Sequence, residues 1–500
     1  MFKRAKFVLR RQICVLGNRV IVTKGEGGMK KEDAVVQKKK WYERMPHSYV
    51  ILFMLIVIAA VLTWVLPAGS FERTIPEGAT REYVVPGTYT QMEQSGVGIF
   101  DVVKAIPKGM DGACTIIFMI MISTAAFHVI RSTGALDNGI GVIMKKVKTS
   151  KIPGYAVICT VTFLFSLLGV IVGPEIQLPF AVLGISIALS LGYDTIVGLG
   201  MVAGGGFTGF AFGPINAAIL GSAHAIMGME TFSGQGLRWL LWLAATITVC
   251  VITCLYARKI TKNPEKSLVK GIDISSLQIE EKEEGYEVTG KHKLVLAVLI
   301  LLMATIIVGA SKFGWYLTEM TAVFLVGGII AGLVYGYKIN KIIDLFIQGA
   351  ASAASVALIV GIARGIQVVL EEGHILDTII NALSSPLQAL NPLVGAIFIS
   401  IIVGIIHFFI PSGSGLAYAT MPIIGPLGEL IGISPQTTVL AFQIGATVPN
   451  FIFPTIGAFM AVLGLAKVPL GKWMSFGLKL VASLYIVSWI FIAIAFAIGY

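Results

Sequence analysis

Apolar runs recur along this chain from residue 49 to residue 499. They fall near residues 49 to 67, 113 to 131, 153 to 172, 174 to 191, 195 to 225, 237 to 257, 293 to 310, 317 to 336, 349 to 369, 392 to 410, 416 to 431, 434 to 466 and 472 to 499. Most approach the roughly 20 residues that a helix needs to cross a bilayer. One short polar interruption stands out by its charge. Residues 258 to 292 hold Arg258, Lys259, Lys262, Lys266, Lys270 and the cluster Glu280-Glu281-Lys282-Glu283-Glu284, and read as a solvated linker. The pattern predicts an all-α integral membrane protein.

Not every run can cross. Lys30, Lys31, Lys38, Lys39, Lys40 and Arg44 place the N-terminus on the cytoplasmic side, and Lys145, Lys146, Lys148 and Lys151 place the end of the second helix there as well. The basic linker belongs on the same side. A full crossing at 153 to 172 followed by a re-entrant loop would put it outside. A single hairpin over 153 to 191, entering from the inside and turning at Gly173-Pro174-Glu175, puts it back. The same treatment of 392 to 431, turning at Pro411-Ser412-Gly413-Ser414-Gly415, gives a hairpin that enters from the outside. It follows the segment 371–377, which has no Lys or Arg. About nine transmembrane helices plus two opposed re-entrant hairpins then satisfy every loop, with Lys338, Lys341, Lys467 and Lys472 inside and the C-terminus external.

The predicted organisation is a cytoplasmic segment 1–48, a first membrane repeat 49–257 with hairpin 153–191, a cytoplasmic linker 258–292, and a second membrane repeat 293–500 with hairpin 392–431. Residues 1–28 are read as lying ahead of a native start at Met29, because Thr23-Lys24-Gly25-Glu26-Gly27-Gly28 can be encoded by a purine-rich ribosome-binding stretch. The first apolar run lacks a small-residue cleavage site and is long enough to span, so it is read as a helix, not a signal peptide.

The halves repeat at an offset of about 240 residues. Gly134-Ala135-Leu136-Asp137 parallels Gly373-His374-Ile375-Leu376-Asp377, Gly173-Pro174-Glu175 parallels Ile410-Pro411-Ser412, Leu191-Gly192 parallels Ile431-Gly432, and Gly205 and Pro214 fall opposite Gly445 and Pro454. With an odd number of crossings between the hairpins, the repeat is inverted, which is the build of secondary transporters with a midplane site. Gly204-Gly205-Gly206-Phe207-Thr208-Gly209 with Gly213-Pro214, and Gly445-Ala446-Thr447-Val448-Pro449-Asn450 with Pro454-Thr455-Ile456-Gly457, are expected to interrupt their helices.

Composition narrows the function classes. At 56% hydrophobic and 13% charged, the chain departs from soluble proteins, where charged residues make up about a quarter, and a secreted or cytosolic enzyme is excluded. The net charge of +11 sits in short inter-helix segments, where it signals topology, and no nucleic-acid partner is expected. Cys14, Cys114, Cys159, Cys250 and Cys254 are scattered and read as small core residues, so no metal centre is expected. No Walker sequence accompanies the 56 glycines, which disfavours ATP-driven transport. No cofactor is called for; H⁺ or Na⁺ is the candidate coupling ion.

The candidate substrate- and ion-binding residues sit at the tips and breaks. Glu175 leads, since a carboxylate at a hairpin tip inside the membrane is costly. Around it stand Gly173, Pro174, Gln177, Gly205, Gly206, Thr208 and Asn216 from the first half, and Ser412, Gly413, Ser414, Gln443, Thr447, Asn450 and Thr455 from the second. Their amides and hydroxyls suit either a polar substrate or hydrogen bonds between helices. Arg364, midway along its helix, is the candidate charge partner for Glu175 or for a substrate carboxylate. His128 and His407 read as satisfied core histidines, Arg131 as a residue reaching the inner surface, and Asp137 and Asp377 as starting short surface helices.

On the hairpin Ile171-Val172-Gly173-Pro174-Glu175-Ile176-Gln177-Leu178-Pro179-Phe180, the Gly204 to Pro214 element and the matched Ile410 to Gly415 and Gly445 to Pro454 elements, the chain resembles the YfcC-like branch of the C4-dicarboxylate anaerobic carrier family over about residues 41 to 499. The resemblance implies a bacterial inner-membrane carrier, often a homodimer, with a mobile body of hairpins and broken helices. Family members are described either as dicarboxylate carriers or as basic amino acid (arginine/ornithine-like) antiporters. Gly-Pro-Glu at the first tip departs from the Ser-Asn-Thr type tips of sodium-coupled dicarboxylate members and favours a substrate with a positive amino group. The expectation is a secondary transporter of amino acids, basic ones first, by antiport or ion coupling. The alternative is a carboxylate carrier on the same fold; a channel or a membrane enzyme fits less well.

Overall fold

Backbone N–H and C=O groups find no water in hydrocarbon, so apolar runs of this length fold as helices that satisfy their own backbone. The computed structural model describes residues 13–16, 19–22, 48–75, 83–150, 152–278, 286–313, 315 and 317–500. Met29, Lys30, Lys31, Lys38, Lys39, Lys40, Arg44, Lys151 and the cluster 280–284 lie outside the described residues. Met1–Pro46 is a unit by itself, with antiparallel strands β1 (Ile13–Leu16) and β2 (Arg19–Val22).

The unit His47–Tyr500 begins with α1 (Ser48–Val65) and four two-residue strands, β3 (Gly69–Ser70), β4 (Arg73–Thr74), β5 (Tyr83–Val84) and β6 (Thr90–Gln91), paired β3–β6 and β4–β5. Next come α2 (Ile99–Gly112), α3 (Cys114–Ser132), α4 (Ala135–Thr149) and the first hairpin, α5 (Gly154–Ile171) with α6 (Pro174–Ser190). The first broken helix is α7 (Thr195–Leu199), a π turn, α8 (Gly205–Phe212), a second π turn and α9 (Ser222–Ile226). Then follow α10 (Gln235–Lys262), α11 (Gly290–Phe313), α12 (Leu317–Tyr335), α13 (Ile339–Glu372) and α14 (Leu376–Ser384). The second hairpin is α15 (Pro392–Phe409) with α16 (Gly413–Leu430). A second broken helix, α17 (Pro435–Gly445) and α18 (Gly457–Leu465), leads into α19 (Leu470–Ala497).

Among the described residues ten helices are long and apolar enough to cross a membrane; α5 and α15, the first arms of the two hairpins, are two of them. Side chains such as Ile300 and Leu301, 70% and 67% exposed, would strand apolar surface in water and suit a lipid boundary. The order helix, long helix, short helix, hairpin, broken helix, helix occurs twice. Left-handed residues fall at Gly134 and His374 and again at Gly192 and Gly432, each pair 240 residues apart. After the second pair, Asp194 and Ser434 cap α7 and α17 in the same way, each accepting from a backbone N–H three residues on.

Helices α1 to α3 pack with α12 and α13, and the hairpins and broken helices pack with α10 and α19. The first group closes on small residues: a Cβ on Gly361 would lie 2.6 Å from Met110 Cγ, and one on Gly365 would lie 3.0 Å from Ala105 O. Outside the helices, Asp377 accepts from Phe71 N at 3.0 Å and pairs with Arg73 at 2.8 Å, tying the β3–β6 segment to α14. Asp194 accepts from Tyr256 Oη at 2.7 Å and Ser267 Oγ at 2.6 Å, which pins the start of the linker under α7; burial pushes its carboxyl above the usual range.

Three expectations need correction. The glycine run does not break its helix: the chain stays helical from Thr195 to Phe212, through one π turn. The glycines serve close approach instead, since a Cβ on Gly209 would lie 1.9 Å from Ser166 O and one on Gly205 would lie 2.4 Å from Thr162 O, both on α5. The turn of the first hairpin is Val172-Gly173, so Pro174 is already the first residue of α6 and Glu175 is in its first turn. Cys114 is exposed and Cys159, Cys250 and Cys254 are half-buried, so these four are not core residues; the Cys14 side chain is outside the described residues.

Gly209→Ala is expected to lower the stability of the folded protein by about 1–3 kcal/mol through overpacking of α8 on α5. Gly236→Ala, where a Cβ meets nothing within 4 Å, is expected to leave it unchanged or slightly higher; thermal unfolding in one detergent compares the two. Asp194→Ala is expected to cost about 1–3 kcal/mol by orphaning the Tyr256 and Ser267 hydroxyls. Limited proteolysis should then cut faster within 263–278.

Candidate functional site

The first tip rests on the first broken helix. Gly173 caps α6 with extended backbone, and Gln177, one turn on, turns back. Its Nε2 donates to Val172 O at 3.3 Å and reaches Gly206 O at 3.5 Å, closing the tip against α8. A Cβ on Gly206 would lie 1.6 Å from Gln177 Oε1, so only glycine admits this carboxamide. The Glu175 backbone lies in the same turn of α6; its side chain is outside the described residues.

Proline makes the actual break in this helix. Pro214 has no N–H to offer Phe210 O, and Asn216 Nδ2 takes that carbonyl instead at 2.7 Å, while Asn216 Oδ1 accepts from Ile219 N at 3.1 Å. The next carbonyls are served from the other half of the chain. Gln443 Nε2 donates to Ala211 O at 3.0 Å and Gly213 O at 3.2 Å, and Thr447 Oγ1 approaches Ala211 O at 3.4 Å. Phe207 and Phe451 pack with ring centres 5.7 Å apart at the same crossing.

The second tip is joined on both sides. Ser412 Oγ accepts from Gly415 N at 3.3 Å and starts α16; a Cβ on Gly413 would lie 2.5 Å from Ile219, beside the first break. His407 Nε2 stands 2.7 Å from Asn450 Oδ1 and its Nδ1 stands 3.1 Å from Ile410 O, so this buried ring links the tip to the second break. Trp473 Nε1 donates to Phe451 O at 2.6 Å. Tips and breaks thus form one junction of Gln177, Gly206, Asn216, Gly413, Gln443, Thr447 and Asn450. Of these, Gln177 Oε1 is buried without a partner, as are Thr208 Oγ1 on α8 and Thr455 Oγ1 just ahead of α18.

Two expected residues stand apart. Gly205 faces α5. Arg364, on α13, donates to Gln367 Oε1, whose Nε2 donates to Glu371 Oε1 at 2.6 Å; this chain runs along α13 beside Gly112. A cavity of about 650 Å³ lies between α3, α4, α6, α13 and α18, with Arg131, Asp137, Ser186 and Lys467 in its wall. There Arg131 lies 3.7 Å from Asp137 and donates to Gln278 O at 2.9 Å.

The pattern of runs missed Arg238. It is 1% exposed in the first turn of α10, and its Nη1 donates to Gln443 Oε1. The available signal was an arginine inside a spanning run, eight residues after Glu230 and 20 before Arg258. His224, fully buried and accepting from Phe232 N at 3.0 Å, was missed as well. Among the described residues no cluster of metal-ligating side chains occurs.

The family model described as "C4-dicarboxylate anaerobic carrier" (DcuC) matches residues 45–497. The Escherichia coli protein named "Putative basic amino acid antiporter YfcC" is 30% identical over 500 residues, covering 92% of this chain and 98% of that protein. An uncharacterised Haemophilus influenzae protein is 29% identical, covering 91% of this chain and 98% of its own length. Among solved structures, the Alcanivorax borkumensis YdaH transporter aligns with TM-score 0.43 and 17% identity over 91% of this chain and 99% of its own. Neisseria gonorrhoeae MtrF, an antimetabolite efflux pump, aligns with TM-score 0.41 and 17% identity over 90% and 95%. The chain belongs to the C4-dicarboxylate anaerobic carrier (DcuC) family: it is a multi-pass membrane transporter, not an enzyme.

Proposed function

We propose that this transporter carries amino acids, basic ones first, by exchange or by coupling to H⁺ or Na⁺. It does so in a bacterial inner membrane as a homodimer, with its N-terminus cytoplasmic and its C-terminus external. The observation that carries this reading is Gln177 Oε1, a buried oxygen without a partner at the first tip, with Thr208 Oγ1 and Thr455 Oγ1 likewise unpartnered on the two broken helices. Buried acceptors are costly when unmet, and the N–H groups of an ammonium or guanidinium would meet them. Glu175 in the same turn as the Gln177 cap supplies a charge of the right sign. The helix start at Gly413 suits the substrate carboxylate. The name of the Escherichia coli relative supports the same substrate class.

Hairpins 153–191 and 392–431 are opposed and re-entrant in this reading, in repeats 49–257 and 293–500 joined by the linker 258–292. The body of hairpins and broken helices, held by α10 and α19, slides against α1 to α3 and α11 to α13 as an elevator. The cavity between them is the path to one face. Arg364, facing Gln367, belongs to the fixed part. A C4-dicarboxylate is the second reading, favoured by the family description; a fixed anion at the first tip opposes it.

Counterflow in proteoliposomes preloaded with arginine, ornithine or succinate tests both readings. Arginine or ornithine exchange is expected, with Glu175→Gln reducing it by about 100-fold or more, the loss of an ionic contact made to the substrate. Succinate exchange that tolerates Glu175→Gln would move the protein to the dicarboxylate reading. Gln177→Leu removes the acceptor and the tip clamp together, and is expected to reduce exchange by about tenfold or more.

A further inference from the structure

Arg238 carries a charge without an acid beside it. Among the described residues it forms no salt bridge. Its Nη1 donates to Gln443 Oε1, its Nη2 lies 3.5 Å from Gln436 Oε1, the Tyr500 side chain stands beside it with its ring centre 6.0 Å away and its hydroxyl in hydrogen-bonding reach, and its Nε has no partner. Gln436 and Gln443 are two turns apart on one face of α17, so this cation from the first half is held by two amides of the second. Burying a guanidinium this way costs stability. A charge kept at such a cost calls for a role.

Its effect on Gln443 supplies one. A guanidinium is donor-only, so Gln443 must turn Oε1 toward Arg238 and Nε2 away from it. Away from it stand Ala211 O and Gly213 O, the carbonyls left open where Pro214 ends the helix. A carboxamide without Arg238 can turn over, and would then set an oxygen against those two carbonyls. The charge also polarises the amide and strengthens its N–H donation.

We propose that Arg238 is a positioning residue for transport: through Gln443 it fixes the direction of the carbonyls that end α8, and with them the broken segment that carries Asn216 and faces the second tip. The inference rests on the reading of this junction as the substrate site and names the side chain that holds its shape. Arg238 does not touch the substrate; its reach is the span from Arg238 to Gln443 to Ala211 and Gly213.

Two variants of the full chain separate positioning from charge neutralisation. Gln443→Glu gives Arg238 a carboxylate but removes both N–H donors; Arg238→Gln removes the orienting charge and leaves Gln443 in place. Both are expected to raise hydrogen–deuterium exchange by about tenfold in peptides covering 209–219, as for loss of a charge-assisted hydrogen bond, with peptides of α13 unchanged. Arginine counterflow should fall by a similar factor in both, while Gln443→Glu unfolds no lower than the parent. Arg238→Lys, which keeps the charge without the fork, should recover part of the activity. Parent-like hydrogen exchange over 209–219 in both variants, or parent-like counterflow in Gln443→Glu, would overturn the proposal. If Arg238→Gln does not fold, Gln443→Glu and Gln443→Leu decide by the same peptides. A parent that exchanges none of the offered substrates sinks the substrate reading, while hydrogen exchange still decides the role of Arg238.

Discussion

A helix broken inside an apolar body leaves carbonyls with no water to bond, and this structure depends on how they are served. Phe210 O goes to Asn216, Ala211 O and Gly213 O to Gln443, Val172 O to Gln177, and Phe451 O to Trp473. Each donor is a side chain from a different turn or a different half of the chain. The polar residues at the junction therefore have two duties. Those whose hydrogen bonds are complete hold the breaks open in one shape; those with an oxygen to spare can meet a ligand. Gln177 does both, with Nε2 spent on the tip and Oε1 left over.

Much of this was legible in the sequence, for physical reasons that differ by element. The paired helices α5–α6 and α15–α16 were legible because two runs separated by Gly-Pro or Pro-Ser-Gly are each a helix long. The repeat was legible because left-handed positions accept few residues: Gly192 and Gly432 had to be glycine-like, and they fall 240 residues apart. The glycine run Gly204 to Gly209 was misread because a glycine that allows a break and a glycine that allows contact look alike in sequence. Only the partner distinguishes them, and here it is the backbone of α5, with Ser166 O beside Gly209. Helix α2 was missed because Asp101, Lys104, Lys108 and Asp111, one stripe of an amphipathic helix, break up its apolar run along the chain. Arg238 was missed because its partners Gln436 and Gln443 are about 200 residues away, beyond what local spacing can report.

The breaks in the two halves differ, although the same order of elements leads to each. The first is the four residues 213–216, bridged by Asn216 alone from its own half. The second runs from Ala446 to Ile456 through a 3₁₀ turn, and Asn450 within it reaches back to the second hairpin through His407. The first half thus borrows Gln443 from the second, while Phe451 O of the second is met from within its own half. A duplicated chain whose halves were equivalent would not need that loan; the asymmetry makes the two broken helices one body that cannot separate without stranding carbonyls.

That asymmetry extends to the tips and bears on what the junction can hold. One helix begins Pro174-Glu175 and the other Gly413-Ser414-Gly415. Both offer backbone N–H groups at a positive helix end, but only the first adds an anion. Two tips alike in sign would suit a ligand alike at both ends, as a dicarboxylate is. Tips unlike in sign suit a ligand with an amino or guanidinium group at one end and a carboxylate at the other. On the reading proposed here, the family's fold is kept and its substrate preference is set by which tip carries the charge.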